Sequence, residues 1–276
     1  MSLSLSRNGP RIVGGSHAGQ HAAAWASGDY AVAGNALQIV SEELCETVNL
    51  CQEERVLDVA AGSFHASMAA ARRWCDVTAT VCASDLTNRS RERTEVAAVG
   101  VQLVDADPEA LPFADQNFSA VISAFGAMFA PDQERAASEM IRVCRRGRRL
   151  GLANWTPAGF IGQLFVTVAR HAPQASSGAS PFSWGTEDRL YELFGAYGSV
   201  DVVRKRVTLR ARTPMDWVDK LRAGYTPVAR TSSLLDAAGQ KALRGDLLEL
   251  VTRFNRAGDA SMRVDAEYLE VVVQRR

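Results

Sequence analysis

The sequence carries no excess charge of one sign, no cysteines in ligand-spaced pairs and no long apolar run, and each absence excludes something. Lys plus Arg is 31 and Asp plus Glu is 31, a formal charge of zero. No field of one sign steers the chain toward nucleic acid or an anionic membrane, so neither is expected as a partner. The basic runs Arg145-Arg146 and Arg148-Arg149 are too short to change this and read as a solvated loop. The cysteines are Cys45, Cys51, Cys75, Cys82 and Cys144, an odd number with no CxxC pair. This argues against a disulfide framework and against a structural zinc site. The first residues, MSLSLSRNGPRIVGG, lack the apolar core of a signal peptide. No run reaches about 18 apolar residues, the length a membrane span needs. A cytoplasmic protein is expected. HExxH, GxSxG, P-loop and EF-hand patterns are missing, as are internal repeats, and no metal site can be argued.

What is present is 276 residues, 47% of them hydrophobic. That suits one large domain, or one domain with a smaller attached piece. Residues 1–20, rich in Gly, Ser and Arg, read as a flexible arm. Leu37, Ile39, Val40, Leu44 and Val48 recur at helical spacing over 35–50. Strands are expected at 56–60, 77–83, 101–104, 119–124 and 150–154, and helices at 66–74, 86–99 and from Pro131-Asp132 to Cys144. This alternation predicts an α/β fold with a doubly wound, mostly parallel Rossmann-like sheet. Ligands of such sheets bind beyond the carboxyl ends of the strands, where the strand order reverses. After Trp155 the pattern changes. Residues 172–184 form a loop with turn chemistry, helices follow at 186–195, 214–222 and 233–255, and strands at 200–209 and 268–273. The expected organisation is an arm over 1–33, a Rossmann-like core over 34–154, and a helical lid with antiparallel edge strands over 155–276.

The strongest local signal is Val56-Leu57-Asp58-Val59-Ala60-Ala61-Gly62-Ser63, a strand ending in small residues that let a ligand approach the backbone. It resembles the first motif of class I S-adenosylmethionine-dependent methyltransferases. Asp105-Ala106-Asp107 and Glu109-Ala110-Leu111-Pro112-Phe113 resemble that family's adenine-binding turn and the loop after it. Asn117 to Asp132 resembles its fourth strand and substrate-facing loop, and Val143 to Gly147 with Gly151 to Trp155 its fifth strand and the preceding turn. Gly159-Phe160-Ile161-Gly162, Trp184-Gly185-Thr186-Glu187 and Arg253-Phe254-Asn255-Arg256 resemble a bacterial subgroup acting on small molecules, so the likeness spans residues 25–276. It implies S-adenosylmethionine as cofactor, with Asp58, Ala60, Gly62, Ser63, Asp85, Asp107, Pro108 and Ser123 lining its site.

Three departures from the family pattern stand out. Phe64 replaces the last glycine of the first motif, and its ring either points away or fills the methionine end of the site. The ribose-binding acid is Asp85 if the second strand carries an insertion. Without a gap its place falls to Val81, and both lie at the expected spacing of about 20 from Gly62. Arg146-Gly147-Arg148 stands where the family has Pro-Gly-Gly, far from the chemistry. His65 is a candidate general acid or base because imidazole titrates near neutrality. Tyr30, Phe64, Phe125, Met128, Phe129, Trp155, Phe160 and Trp184 are candidates for an apolar acceptor pocket. The expected activity is methyl transfer to a small hydrophobic metabolite of secondary metabolism. The alternatives are a methyltransferase-like enzyme that catalyses cyclisation or rearrangement without methylating, and a non-catalytic ligand-binding protein. No motif names the acceptor or the oligomeric state.

Overall fold

The computed structural model describes residues 31–81, 100–172 and 180–276. Tyr30, Cys82, Asp85, the arm and the helix expected at 86–99 therefore lie outside the described residues. The described chain runs α1 (Ala31–Thr47), β1 (Arg55–Asp58), α2 (His65–Arg72), β2 (Asp76–Val81), β3 (Gln102–Asp105), β4 (Phe118–Ala124), α3 (Gln133–Val143) and β5 (Cys144–Trp155). It continues through α4 (Phe160–His171), α5 (Glu187–Phe194), β6 (Gly198–Ala211), α6 (Pro214–Gly224), α7 (Thr226–Ser233), α8 (Ala237–Phe254) and β7 (Met262–Arg275).

The strands form one seven-stranded sheet in the order β3-β2-β1-β4-β5-β7-β6. The first five are parallel, and β7 is antiparallel to both β5 and β6. Chain order reverses between β1 and β4, which places the crevice at their carboxyl ends. The central strands are mostly apolar because helices cover both faces. Val56, Leu57, Val121, Ile122, Leu150 and Leu152 are all fully buried. Helix starts follow local capping: Asp132 accepts from the Arg135 N–H, Thr213 from that of Asp216, and Asp236 from that of Gly239. No helix among the described residues is long and apolar enough to cross a membrane.

The structure corrects three expectations. Arg145–Arg149, read as a solvated loop, belongs to β5. The register jumps from Phe118↔Cys144 to Ala120↔Arg149, so the intervening arginines bulge outward while the strand resumes at Arg149. Arg149 then pairs with Glu54 at 2.8 Å, both side chains nearly buried. Burial alone would raise the Glu54 pKa, but the hydrogen bonds from Arg149 and the Cys51 amide hold it below the usual carboxylate value. The helix expected at 233–255 is α8, which starts only after its cap Asp236, and a separate helix α7 that was not expected precedes it. β6 and β7 are longer than expected because they pair with each other far past the end of β5, from Lys205↔Tyr268 out to Ala211↔Met262. Helices α4, α6 and α8 pack together with this ribbon and form the lid.

Two glycines outside the crevice give opposite expectations. A Cβ on Gly185 would sit 1.9 Å from the Trp155 carbonyl oxygen, so Gly185→Ala forces backbone apart and is expected to cost about 1–3 kcal/mol. Gly245, inside α8, has nothing within 4 Å of such an atom. Gly245→Ala is expected to stabilise by up to about 1 kcal/mol through helix propensity. Urea unfolding of both variants checks the pair, and equal effects would contradict the packing described.

Candidate functional site

The turn after β1 is the centre of the crevice. The Val59 N–H donates to the Ile122 carbonyl on β4 (2.8 Å), and the Ala61 N–H to the Thr80 carbonyl on β2 (2.8 Å). The Ala60 N–H donates to Thr80 Oγ1 at 3.0 Å. So tied, the chain alternates into the left-handed region at Ala60 (φ 55°), Gly62 (φ 53°) and Phe64 (φ 61°). A side-chain-bearing residue there costs about 1–2 kcal/mol, which the flanking hydrogen bonds must offset. Ala60, Ala61, Gly62 and Ser63 are all half-buried. Among the described residues a Cβ on Gly62 would meet only the Ala60 oxygen at 4.0 Å, so no described side chain covers this backbone face.

Phe64 is fully buried, and its ring packs with Ala79, Val81 and Leu103, flanked by Ala61 and Val101. The ring therefore lies against β2 and β3, beside Ala61 of the turn. Val81, the gap-free candidate for the ribose position, is in the same cluster and equally buried. The described part of β2 thus ends in an apolar residue.

Asp58 ends β1 fully buried. Its Oδ2 accepts from Ser67 Oγ on α2 at 2.5 Å, while Oδ1 has no hydrogen-bond partner among the described residues. Burial pushes its pKa from 3.8 up to about 7, against the lowering effect of the Ser67 hydrogen bonds. His65 is the first residue of α2 and is also buried.

The other walls come from the turns after β3 and β4. Asp107 is half-buried, and its Oδ1 accepts from the Glu109 N–H at 2.8 Å, which fixes the turn carrying buried Pro108. Ser123 donates from Oγ to the Val59 carbonyl (2.7 Å) and accepts from the Ala127 N–H (2.9 Å). Its hydroxyl is thereby committed to stapling the ends of β4 and β1 together. A Cβ on Gly126 would lie 2.1 Å from the Ala60 oxygen, so the loop after β4 rides directly on the turn after β1.

The expected apolar residues separate into distinct groups. Phe125, left-handed at φ 63°, stacks on Trp155 at 3.8 Å, and both meet Tyr268 of β7 edge-on. Phe129, in the short 3₁₀ turn after β4, joins Phe165, Phe182 and, through Phe165, Tyr225, with ring centres 5.0–6.2 Å apart. Phe129, Phe165 and Tyr225 are only partly buried. Met128 is fully buried in the core, Phe160 packs with Trp217 and Phe254 inside the lid, and Trp184 packs with Phe194. Phe165, Phe182, Tyr225 and Tyr268 were not among the sequence candidates. Phe182 lies in the loop expected at 172–184, and the helical periodicity after Phe160 was the signal that could have led to Phe165.

A doubly wound sheet whose strand order reverses beside a glycine turn defines a Rossmann-like protein. Comparison with known proteins agrees. Residues 57–151 match the methyltransferase domain family. A demethylmenaquinone methyltransferase of Renibacterium salmoninarum is 31% identical over 172 residues, which cover 57% of this chain and 71% of that one. An uncharacterised protein of Mycobacterium tuberculosis is 40% identical over 212 residues, 75% of this chain and 77% of that one. The crystal structure of the YcgJ protein of Bacillus subtilis shares the fold at TM-score 0.58 and 18% identity, covering 86% of this chain and 99% of its own. The chain belongs to the class I S-adenosylmethionine-dependent methyltransferase family.

Asp58 gives the site a pH signature. Native Asp58 keeps its proton up to about pH 7, whereas the unfolded chain loses it near 3.8. Across that window the native state binds more protons, so its stability falls as pH rises, by up to about 4 kcal/mol. Asp58→Asn mimics the neutral acid and is expected to remove this fall. Urea unfolding at about pH 5 and about pH 8 compares the two proteins; equal pH slopes would refute the assignment.

Proposed function

We propose that this protein transfers a methyl group from S-adenosylmethionine to a small apolar acceptor. The observation that carries this reading is the open backbone face of Gly62 within a turn whose alternate residues are left-handed. What supports the cofactor is that the ring of Phe64 packs into the cluster with Ala79, Val81 and Leu103, while no described side chain covers Gly62. The backbone of Ala60 to Ser63 would hold the methionine end, with Asp58 beneath it. Asp107 and Pro108 would meet the purine, and Asp85 is the proposed acceptor for the ribose hydroxyls. Ser123 contributes by fixing the loop that the acceptor must pass.

Bound S-adenosylmethionine supplies a methyl group already activated by its sulfonium, so the protein has to align and dehydrate rather than activate. The half-buried rings of Phe129, Phe165 and Tyr225, backed by Phe182, would seat the acceptor's apolar body and exclude water from it. Phe125 on Trp155 stiffens the loop between this seat and the turn. Where the acceptor must lose a proton, His65 is the proposed proton acceptor.

A second reading rests on the Phe64–Val81 contact, which leaves the gap-free ribose position without a carboxylate. It makes the protein a methyltransferase-like enzyme that folds a flexible substrate for cyclisation or rearrangement. A non-catalytic binding protein ranks third.

Calorimetric titration with S-adenosylmethionine and S-adenosylhomocysteine separates these readings. The parent is expected to bind both, and Phe64→Gly to change the affinity by no more than about threefold, under 1 kcal/mol. Gly62→Ala places a methyl group in the open face and is expected to weaken binding at least about tenfold, or 1.4 kcal/mol. A parent that binds neither compound, with binding gained in Phe64→Gly, overturns methylation in favour of the second reading.

A further inference from the structure

At the edge of the sheet opposite the crevice, the loop before β1 runs beside the loop before β2. The Glu53 N–H donates to the Trp74 carbonyl and the Asp76 N–H to the Glu54 carbonyl, each at 2.9 Å. Between these clamps lie two thiols. Cys51 is exposed and Cys75 partly so. The Cys75 Sγ donates to the carbonyl oxygen of Cys51 at 3.2 Å, and the Cys51 Sγ to that of Asn49 at 3.5 Å. A carbonyl oxygen lies about 2.4 Å from its own Cα by standard backbone geometry, so the Cys75 sulfur is within about 5.6 Å of the Cys51 Cα. The Cys75 sulfur thus already lies against the backbone of the residue that carries the second thiol.

We infer that Cys51 and Cys75 are a redox-sensitive pair that oxidised glutathione converts to an intramolecular disulfide. The exposed Cys51 thiol loses its proton to water, and the thiolate attacks one sulfur of oxidised glutathione. The glutathione S–S bond breaks, leaving a mixed disulfide on Cys51 and one glutathione thiolate. The Cys75 thiolate then attacks the Cys51 sulfur, forming the protein disulfide and expelling the second glutathione thiolate. Overall two cysteine thiols are oxidised and one glutathione disulfide is reduced to two thiols. Burial pushes the Cys75 thiol up to about 11, so this second step is the slow one. Cys45 and Cys144 are fully buried and shielded from the reagent.

The bond would close a loop containing β1, the Gly62 turn and α2, tying its base while leaving the crevice at the far edge untouched. The inference does not depend on methylation. Its test is the full-length protein treated with millimolar oxidised glutathione and mapped by mass spectrometry without reduction. The expected product lacks two hydrogens and yields a peptide joining Cys51 to Cys75. Its melting temperature rises by about 5–10 °C over the reduced form, as closing a loop of this length should produce. Cys75→Ser should instead accumulate the glutathione adduct on Cys51, and Cys51→Ser should yield no joined peptide. A parent protein that stops at the Cys51 adduct, or that joins either cysteine to Cys82, overturns the assignment.

Discussion

The crevice depends on how Ala60 is seated. Its N–H is held by the Thr80 hydroxyl on β2, and its carbonyl oxygen faces Gly126 so closely that no side chain fits there. Ser123 bridges the same two loops from below, through the Val59 carbonyl and the Ala127 N–H. These contacts come from three strands, so they impose a left-handed conformation on a residue that does not favour it. Glycine then plays two different parts within a few ångströms. At Gly126 it is required because Ala60 already occupies the space. At Gly62 no described residue occupies the space, and the missing side chain makes sense as clearance for a ligand.

The two departures at 64 and 81 form one packing event. A left-handed residue at the mouth of α2 sends its Cβ toward the sheet, where Ala79 is small enough for an aromatic ring to lie above it. Once the ring is there, residue 81 borders it. A carboxylate at that position would lose its water against a phenyl face without gaining a partner, a penalty of several kcal/mol. Valine at 81 therefore follows physically from phenylalanine at 64. The cost would fall on the side proposed for the ribose, while the backbone of the Ala60–Ser63 turn keeps its shape.

The layout of the sheet was legible in the sequence because its central strands are apolar runs punctuated by small residues, as in Val56–Val59 followed by Ala60-Ala61-Gly62. Helix starts were legible where a capping acid or Thr-Pro precedes the periodic face. Arg145–Arg149 misled because a bulge lets arginines point outward from a strand that periodicity cannot see. β6 and β7 were underestimated because their outer halves are stabilised by each other, a contact that no local pattern encodes. The aromatic cluster proposed to seat an acceptor was only partly legible for a similar reason. Phe129, Phe165, Phe182 and Tyr225 come from four separate segments, and tertiary folding alone groups them. Phe160 and Trp184 looked equivalent in sequence, yet they stabilise the lid and its junction with the core.

The long β6–β7 ribbon carries the helices that connect its strands beyond the end of β5. Past Tyr268 the two strands leave β5 behind and continue as a pair, with Val207, Leu209, Val264 and Ala266 buried along one face. A two-stranded ribbon is marginal alone, so it needs helices against that face, and Trp217, Val218, Leu221 and Leu247 of α6 and α8 supply the apolar cover. The same arrangement fixes Tyr268 at the point where the ribbon departs, edge-on to the stacked rings of Phe125 and Trp155. The rings that end β4 and β5 are thus braced by the strand that carries the lid. The aromatic junction therefore links the base of this ribbon to the rings that end β4 and β5.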